Sequence, residues 1–535
     1  MRPACDEAAI RSSSSGSPCR PESYPWILAA AILGSSMAFI DSTVVNVALP
    51  ALQSSFNATV IDVQWVVESY GLFLGALILV GGSAGDLFGR RRIFVAGVAI
   101  FAIASAACGF AQNIHQLIYA RAVQGVGAAL LTPGSLAIIS ASFPEDQRGR
   151  AIGTWSGFTA ITTALGPVLG GWLIEHASWR WIFFINLPLA VAVIVTSLWH
   201  VPESHGPSAQ RLDFLGALLV TLGLGGLVYG LVESPRLGWT NPGVATSLLV
   251  ALVCLSAFPF VEARAPNPMV PLKLFQSRTF SGANLLTLFL YSALGIFFFV
   301  FPMNLIQVQH YSATAAGAAA LPLILLMFVL SRWSGGLVTR YGPELPLIVG
   351  PLIAAAGFLM FTLPSVGGSY WTTFFPAFVI LGFGMAVSVA PLTTTVMTAV
   401  DRDHSGTASG INNAVARVAG LLAVAVFGIV MVSAFATHLD QELSRLNIPQ
   451  PIRERIHSDR TKLAAIEVSA NASANSSPVQ NSPAAESSRE LKATIAHSFV
   501  YAFRLIALCC AALSIASAAV AAVFIKAQST AAGVH

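Results

Sequence analysis

WVVESYGLFLGALILVGGSAGDLFGRRRIFVAGVAIFAIASAACGFA, residues 65–111, decides the architecture. Two apolar runs flank one short charged turn. Each run has about 20 residues, and a helix of that length spans the roughly 30 Å hydrocarbon layer of a bilayer. In lipid the backbone must satisfy its own hydrogen bonds, so only helices and closed barrels cross it. Long unbroken apolar runs argue for helices.

The same pattern extends over the whole chain. Apolar runs lie at 26–49, 65–85, 93–111, 116–140, 151–173, 182–200, 213–233, 244–262, 281–306, 315–338, 346–363, 371–397, 408–434 and 498–525. The 535 residues are 55% hydrophobic and only 10% charged, with a mean hydropathy of +0.73. A soluble domain carries about 25% charged residues. The fold class is therefore an all-α integral membrane protein with about fourteen spans. The first run is too long for a signal peptide and lacks a cleavage site. It is entered from a Ser-rich tail, residues 1–24, whose composition reads as disordered.

Basic residues in short loops set the expected orientation. Arg90, Arg91, Arg92, Arg148, Arg150, Arg211, Arg264, Lys273, Arg278, Arg340 and Arg402 fall on one side, against Arg180 and Arg236 on the other. The basic side reads as cytoplasm, which puts both termini inside and places the chain in the cell membrane (the inner membrane if the host is bacterial). Stretch 435–496 falls outside. Its first half mixes Leu, Ile and charges and reads as a short surface helix. Its second half, Asn471–Ser488, reads as a flexible tether.

Several chemistries are excluded. The six cysteines show no disulfide framework and no metal-ligand spacing. None of the four lysines, Lys273, Lys462, Lys492 and Lys526, follows a Gly-rich loop, so the chain has no Walker-type phosphate cradle. No catalytic triad can be placed at one membrane depth. No enzyme activity, cofactor, metal or nucleic-acid partner is expected, and a transporter or channel is favoured.

One punctuation occurs twice. Gly82, Asp86 and Gly89 precede Arg90, and Gly335, Thr339 and Gly342 repeat the spacing after the tenth run. Glycine permits the positive φ of a tight turn. A carboxylate facing a guanidinium across that turn can latch two helices. The bland alternative for the arginines is a positive-inside anchor. Gly82–Arg92, GSAGDLFGRRR, resembles the loop 2–3 signature of the major facilitator superfamily. DSTVVNVALP (Asp41–Pro50), the set Arg121, Gln124, Gly125 and Gly127, the set Gly157, Gly166, Pro167, Gly170 and Gly171, WRWIFFINLP (Trp179–Pro188) and SGTASGINNAVARVAG (Ser405–Gly420) are similar to motifs of its fourteen-span drug:proton antiporters. The resemblance implies two six-helix bundles, residues 25–201 and 265–528. A linker with two inserted spans, 202–264, would lie between them, and a short tail, 529–535, would follow. It also implies that Asp86, Gly89 and Arg90 with Gly82 form a gating latch. The helix-5 glycines would form a leak-tight seam that favours exchange over symport. Thr339 departs from the pattern, so a second latch is weaker.

Charges inside a bilayer cost at least about 2.5–3.5 kcal/mol each, so each is a site hypothesis. Asp41 is expected roughly 13 Å below the outer surface, Glu68 at about 5–9 Å and Arg121 at roughly 8 Å. Asp41 is taken as the main protonation site, Glu68 as a second acid for a proton or a cationic substrate, and Arg121 as the base that tunes the nearby acid. Packing, snorkelling and a structural ion pair are the alternatives. Asn46, Gln124, Asn412, Asn413, Arg417, Tyr501 and Arg504 are candidates for the cavity wall. Phe297, Phe298 and Phe299 could add an aromatic surface for cations.

The function implied is proton-coupled efflux of amphipathic, cationic small molecules by alternating access. Export of one endogenous metabolite, symport, or a sensor without transport remain as alternatives. Partners are a small-molecule substrate, protons and membrane lipid. No GxxxG-type face demands a dimer, so a monomer is expected, and an external adaptor stays undetermined.

Overall fold

The computed structural model describes residues 21–206, 212–401, 404–446, 450–466 and 483–525. No strand occurs among them, and thirteen helices are long and apolar enough to cross a bilayer. A shorter apolar helix makes the fourteenth. In chain order they are α1 (Tyr24–Phe56), α2 (Val60–Phe88), α3 (Arg90–Phe110), α4 (Ile114–Ser142), α5 (Glu145–His176), α6 (Trp181–His200) and α7 (Phe214–Leu237). There follow α8 (Pro242–Glu262), α9 (Arg278–Val308), α10 (Ala313–Gly335), α11 (the short one, Glu344–Met360), α12 (Phe375–Thr398), α13 (Ser405–Arg445) and α14 (Pro483–Phe524). The chain is an all-α, multi-pass membrane protein.

Local chemistry marks the ends. Asn57 takes a left-handed conformation (φ 49°) and stops α1. Thr59 and Asp62 then form a reciprocal capping box that starts α2. Gly89, at φ 107°, is the single residue between α2 and α3. Asn113, Asp213, Asn241 and Ser277 cap α4, α7, α8 and α9 through their side chains.

Helices α1–α6 pack on one another, and α9–α14 form a second bundle. The inserted α7 and α8 pair together, and α7 lies against both α2 and α13. Leu72 and Ala76, Leu224 and Val228, and Leu421 and Ala425 share that three-way contact. Trp65 Nε1 on α2 donates to Glu233 Oε1 on α7 at 2.8 Å.

One expectation changes. α1 does not stop before Pro50 but continues to Phe56. A helix buried among neighbours tolerates the proline, and Leu49, Pro50, Leu52 and Gln53 are all buried. Asp41 therefore lies roughly 22 Å from the end of α1, deeper than the run implied. In stretch 435–496 the short helix expected in the first half is present, and the flanking spans reach further into it than expected. α13 continues to Arg445, a short helix spans Gln450–Asp459, and α14 begins at Pro483. Leu439, Leu443, Ile456, Leu463, Leu491 and Ile495 are buried together there, so the described parts of this stretch form an apolar cap. Of the expected tether, residues 471–482 lie outside the described set, as does the tail 1–20.

Candidate functional site

The first bundle buries a charge network. Arg121 on α4 forms an ion pair with Asp41 on α1, and both side chains are fully buried. Gln124, one helical turn from Arg121, donates from Nε2 to Asp41 Oδ1 at 2.8 Å and accepts from Arg121 Nη1 at 2.7 Å. Arg121 Nε donates to the Val66 carbonyl on α2 at 3.2 Å. Its guanidinium lies 4.1 Å from the centroid of the Tyr70 ring. Behind Gln124, Ser105 on α3 stands within 3.3 Å of Nε2 and accepts from Asn186 Nδ2 on α6 at 3.0 Å. The network around this one acid thus spans five helices, α1, α2, α3, α4 and α6. Burying such a pair is costly unless the remaining polar atoms are satisfied, and Gln124 and the Val66 carbonyl supply that satisfaction. Sequence reasoning paired Arg121 with a nearby acid without choosing between Asp41 and Glu68. It missed Ser105 and Asn186. Asn186 stood in view within WRWIFFINLP, while Ser105 carried no signal.

Glu68 is the opposite case. It is 1% exposed, and neither carboxylate oxygen has a hydrogen-bond partner. It faces a cavity of about 1040 Å³ between the two bundles. The wall is mostly apolar, with Phe298, Phe299, Met327 and Met385 from the second bundle and Asn46, Tyr70 and Arg121 from the first. Of the three adjacent phenylalanines, Phe297 is instead buried in the second bundle's core.

The cavity is shut at one end. A Cβ on Gly171 of α5 would fall 2.2 Å from the Ala313 carbonyl oxygen of α10, and one on Gly317 would fall 2.0 Å from that of Pro167. Gly166 and Gly170 pack as closely on Thr43 and Val44 of α1. Small residues let helices approach this far. Thr314 Oγ1 donates to Glu175 at 2.6 Å, Gln307 Nε2 donates to Gln53 Oε1 at 2.8 Å, and Lys462 of the cap donates to Asn57 at 3.0 Å, all at this end. Gly317 was not anticipated, and nothing in its sequence setting marks it. At the other end, positions Gly149, Gly153, Gly157 and Gly335 have no atom within 4 Å of a built Cβ. Gly157 therefore lines the cavity and takes no part in the seam. The open end carries Arg90, Arg150 and Arg340.

A sequence profile described as the Major Facilitator Superfamily matches residues 31–424. The chain belongs to the Major Facilitator Superfamily. It is 36% identical over 441 residues to "Multidrug resistance protein Stp" of Mycobacterium tuberculosis, covering 80% of each chain. It is 34% identical over 448 residues to "Tetracenomycin C resistance and export protein" of Streptomyces glaucescens, covering 83% of this chain and 82% of that one. Among solved structures, a bacterial homologue of the human lysosomal transporter Spinster, described as inward-facing and unoccupied, superposes with a TM-score of 0.63 at 17% identity. That match covers 94% of this chain and 98% of the other. The last likeness is one of fold.

The turn between α2 and α3 pairs an acid with a base. Arg90 Nε donates to Asp86 Oδ1 at 2.8 Å, and Arg90 Nη1 reaches the Ala137 carbonyl on α4 at 3.4 Å. Gly82 makes only ordinary contact with Pro133, whereas its neighbour Gly81 presses on the Ala129 carbonyl. Glu203, just after α6, was not anticipated. Its carboxylate accepts from the Arg91 backbone at 3.0 Å and lies within 3.7 Å of the Arg91 and Arg92 guanidiniums. It thereby caps the positive end of α3. In the second copy, Thr339 bonds only to the Gly336 carbonyl in its own turn.

Of the remaining cavity candidates, Asn46 and Arg417 line it. The others are placed elsewhere. Gln124 stands behind the ion pair. Asn412 donates to Asn284 and Thr287 of α9 at 3.1 and 2.7 Å. Asn413 is exposed and bonds to Ser409. Tyr501 stacks on His438, and Arg504 donates to the Pro364 carbonyl at 3.0 Å. Polar character inside a span marked these residues but could not say which side of each helix meets the cavity.

Proposed function

We propose that this transporter is a drug:proton antiporter that exports amphipathic, positively charged small molecules by alternating access. Glu68 carries the proposal. An ionised carboxylate without a partner is costly to bury and is neutralised by a proton or a cation. Here it stands on a large apolar wall, the surface an amphipathic cation needs. Asp41 is the proton-coupling acid in this scheme. A proton on Asp41 cancels its charge and leaves the Arg121 charge facing the cavity, which repels a cation held at Glu68. Loss of the proton restores the pair and the affinity.

The excess of Arg and Lys in the short loops at the open end supports a cytoplasmic orientation for it, with both termini on that side and the chain in the cell membrane. The cavity then faces inward, ready to load. The α5–α10 glycine seam closes the outer end, and Asp86 with Arg90 latches α2 to α3 at the inner end. Relatives whose names include multidrug resistance and export support the direction.

The test uses proteoliposomes loaded with ethidium and given an inward-directed proton gradient, so that each proton entering exchanges for the cation leaving. Ethidium should collapse the gradient with wild type and not with Asp41→Asn, and Glu68→Gln should weaken ethidium transport. Undiminished collapse with Asp41→Asn removes Asp41 as the coupling acid.

A further inference from the structure

We propose that the second bundle's wall of the cavity carries an anion-binding subsite at Arg417, so that the preferred cargo is dipolar: a cationic group at Glu68 and an acidic group, carboxylate or phenolate, at Arg417. This deepens the exporter proposal and rests on it.

Arg417 lies on α13 and lines the cavity. Among the described residues no carboxylate pairs with it. Its guanidinium instead sits 5.7 Å from the centroid of the Phe39 ring on α1. Stacking of this kind leaves the N–H edge of the fork free to bind a ligand. Tyr291 of α9 lies on the same cavity. The other arginine on the network side, Arg121, is already neutralised by Asp41, and the cavity acid Glu68 has no partner at all. The cavity thus offers an acid without a partner on α2 and, in the other bundle, a guanidinium without a carboxylate partner on α13. Arg332 of α10, also on the lining, has no carboxylate partner among the described residues either but is exposed, unlike the half-buried Arg417.

A guanidinium inside the membrane region marks a ligand site by default. A carboxylate is its best complement, through two parallel hydrogen bonds. A dipolar cargo would touch both bundles at once, and only while they face a common cavity. A simple cation would use Glu68 alone.

The experiment compares rhodamine B, which carries a carboxylate, with its ethyl ester, which does not. Binding is read by fluorescence anisotropy on the purified full chain in detergent. Arg417→Gln should weaken rhodamine B by about tenfold, the scale of one charge-assisted contact, and the ester less than twofold. Arg417→Lys should restore most of the loss for the acid. Equal weakening of both dyes would mean a structural role, and no change in either would mean that Arg417 does not meet the cargo. Each of these overturns the subsite. A second measurement needs no variant. 1-Naphthoate should displace rhodamine B from wild type at least tenfold more effectively than methyl 1-naphthoate. Equal displacement by the two also overturns it. If wild type binds and exports the ester while the acid results fail, the exporter proposal stands and only the subsite falls. If wild type neither binds nor exports either dye, the exporter proposal falls first.

Discussion

The two bundles share a fold and bury opposite things. The first, α1–α6, holds Asp41, Arg121 and Gln124 with a set of polar partners on five helices. The second, α9–α14, fills the equivalent interior with rings. Phe297 stacks with Phe301 at 5.1 Å and touches Phe358, Phe361, Phe378 and Phe503. Dispersion and apolar packing have no protonation state, whereas a buried ion pair does. In the proposed scheme the first bundle answers to protons and the second does not. The turn motif differs in the same direction, with Asp86 and Arg90 paired in one copy and Thr339 without a charge partner in the other.

The sharpest break of this contrast is Arg121→Leu. It strands the Asp41 carboxylate with Gln124 alone, and removing one partner of a buried pair costs about 3–5 kcal/mol. Thermal unfolding should show that loss at pH 7. A variant as stable as wild type would mean that water already reaches the pair. In the other bundle Phe297→Ala should cost about 3–5 kcal/mol through the cavity it leaves. Its loss should be the same at pH 5 and pH 8, and a strong pH dependence would erase the distinction between bundles.

Gly317→Leu should act on conformation more than on stability. Its side chain cannot fit 2.0 Å from the Pro167 carbonyl, so the outer seam should part. A cysteine placed at Gln53 should become reactive to a membrane-impermeant thiol reagent, and transport should fall at least tenfold. Unchanged labelling would mean that the seam is not the closure. A smaller effect is expected from the latch. Asp86→Asn removes a partly exposed pair worth up to about 1 kcal/mol, while Thr339→Asp should add no more than that beside Arg340. Pro343 stands in the second turn where Arg90 stands in the first, so equal and opposite shifts in melting temperature would mean that Arg340 can take the place of Arg90.

Much of the site was legible because lipid makes charge conspicuous. Asp41, Glu68, Arg121 and Arg417 stand out in apolar runs and need no tertiary information to be suspected. Their relations were not legible. Asp41 and Arg121 are separated by 80 residues, and depth along separate helices could not show that Asp41 takes the arginine while Glu68 is left alone. Asn412, Tyr501 and Arg504 have the same polar character as Asn46 yet serve packing, because the rotation of a helix about its axis is set by its neighbours.

By itself the sequence determined the number and type of spans, since each must supply about 20 apolar residues and its own backbone hydrogen bonds. It also marked the turn at Gly89 and the glycines of α5, where only a missing side chain permits the geometry. Tertiary structure alone decided that α1 continues through Pro50, that residues 435–466 fold back as a cap, that Gly317 completes the seam, and that one end of the cavity is closed. Each of these depends on what lies across from a residue rather than beside it in the chain. Close approach, burial of a proline and the pairing of a charge are properties of two surfaces, and the second surface comes from a distant part of the sequence.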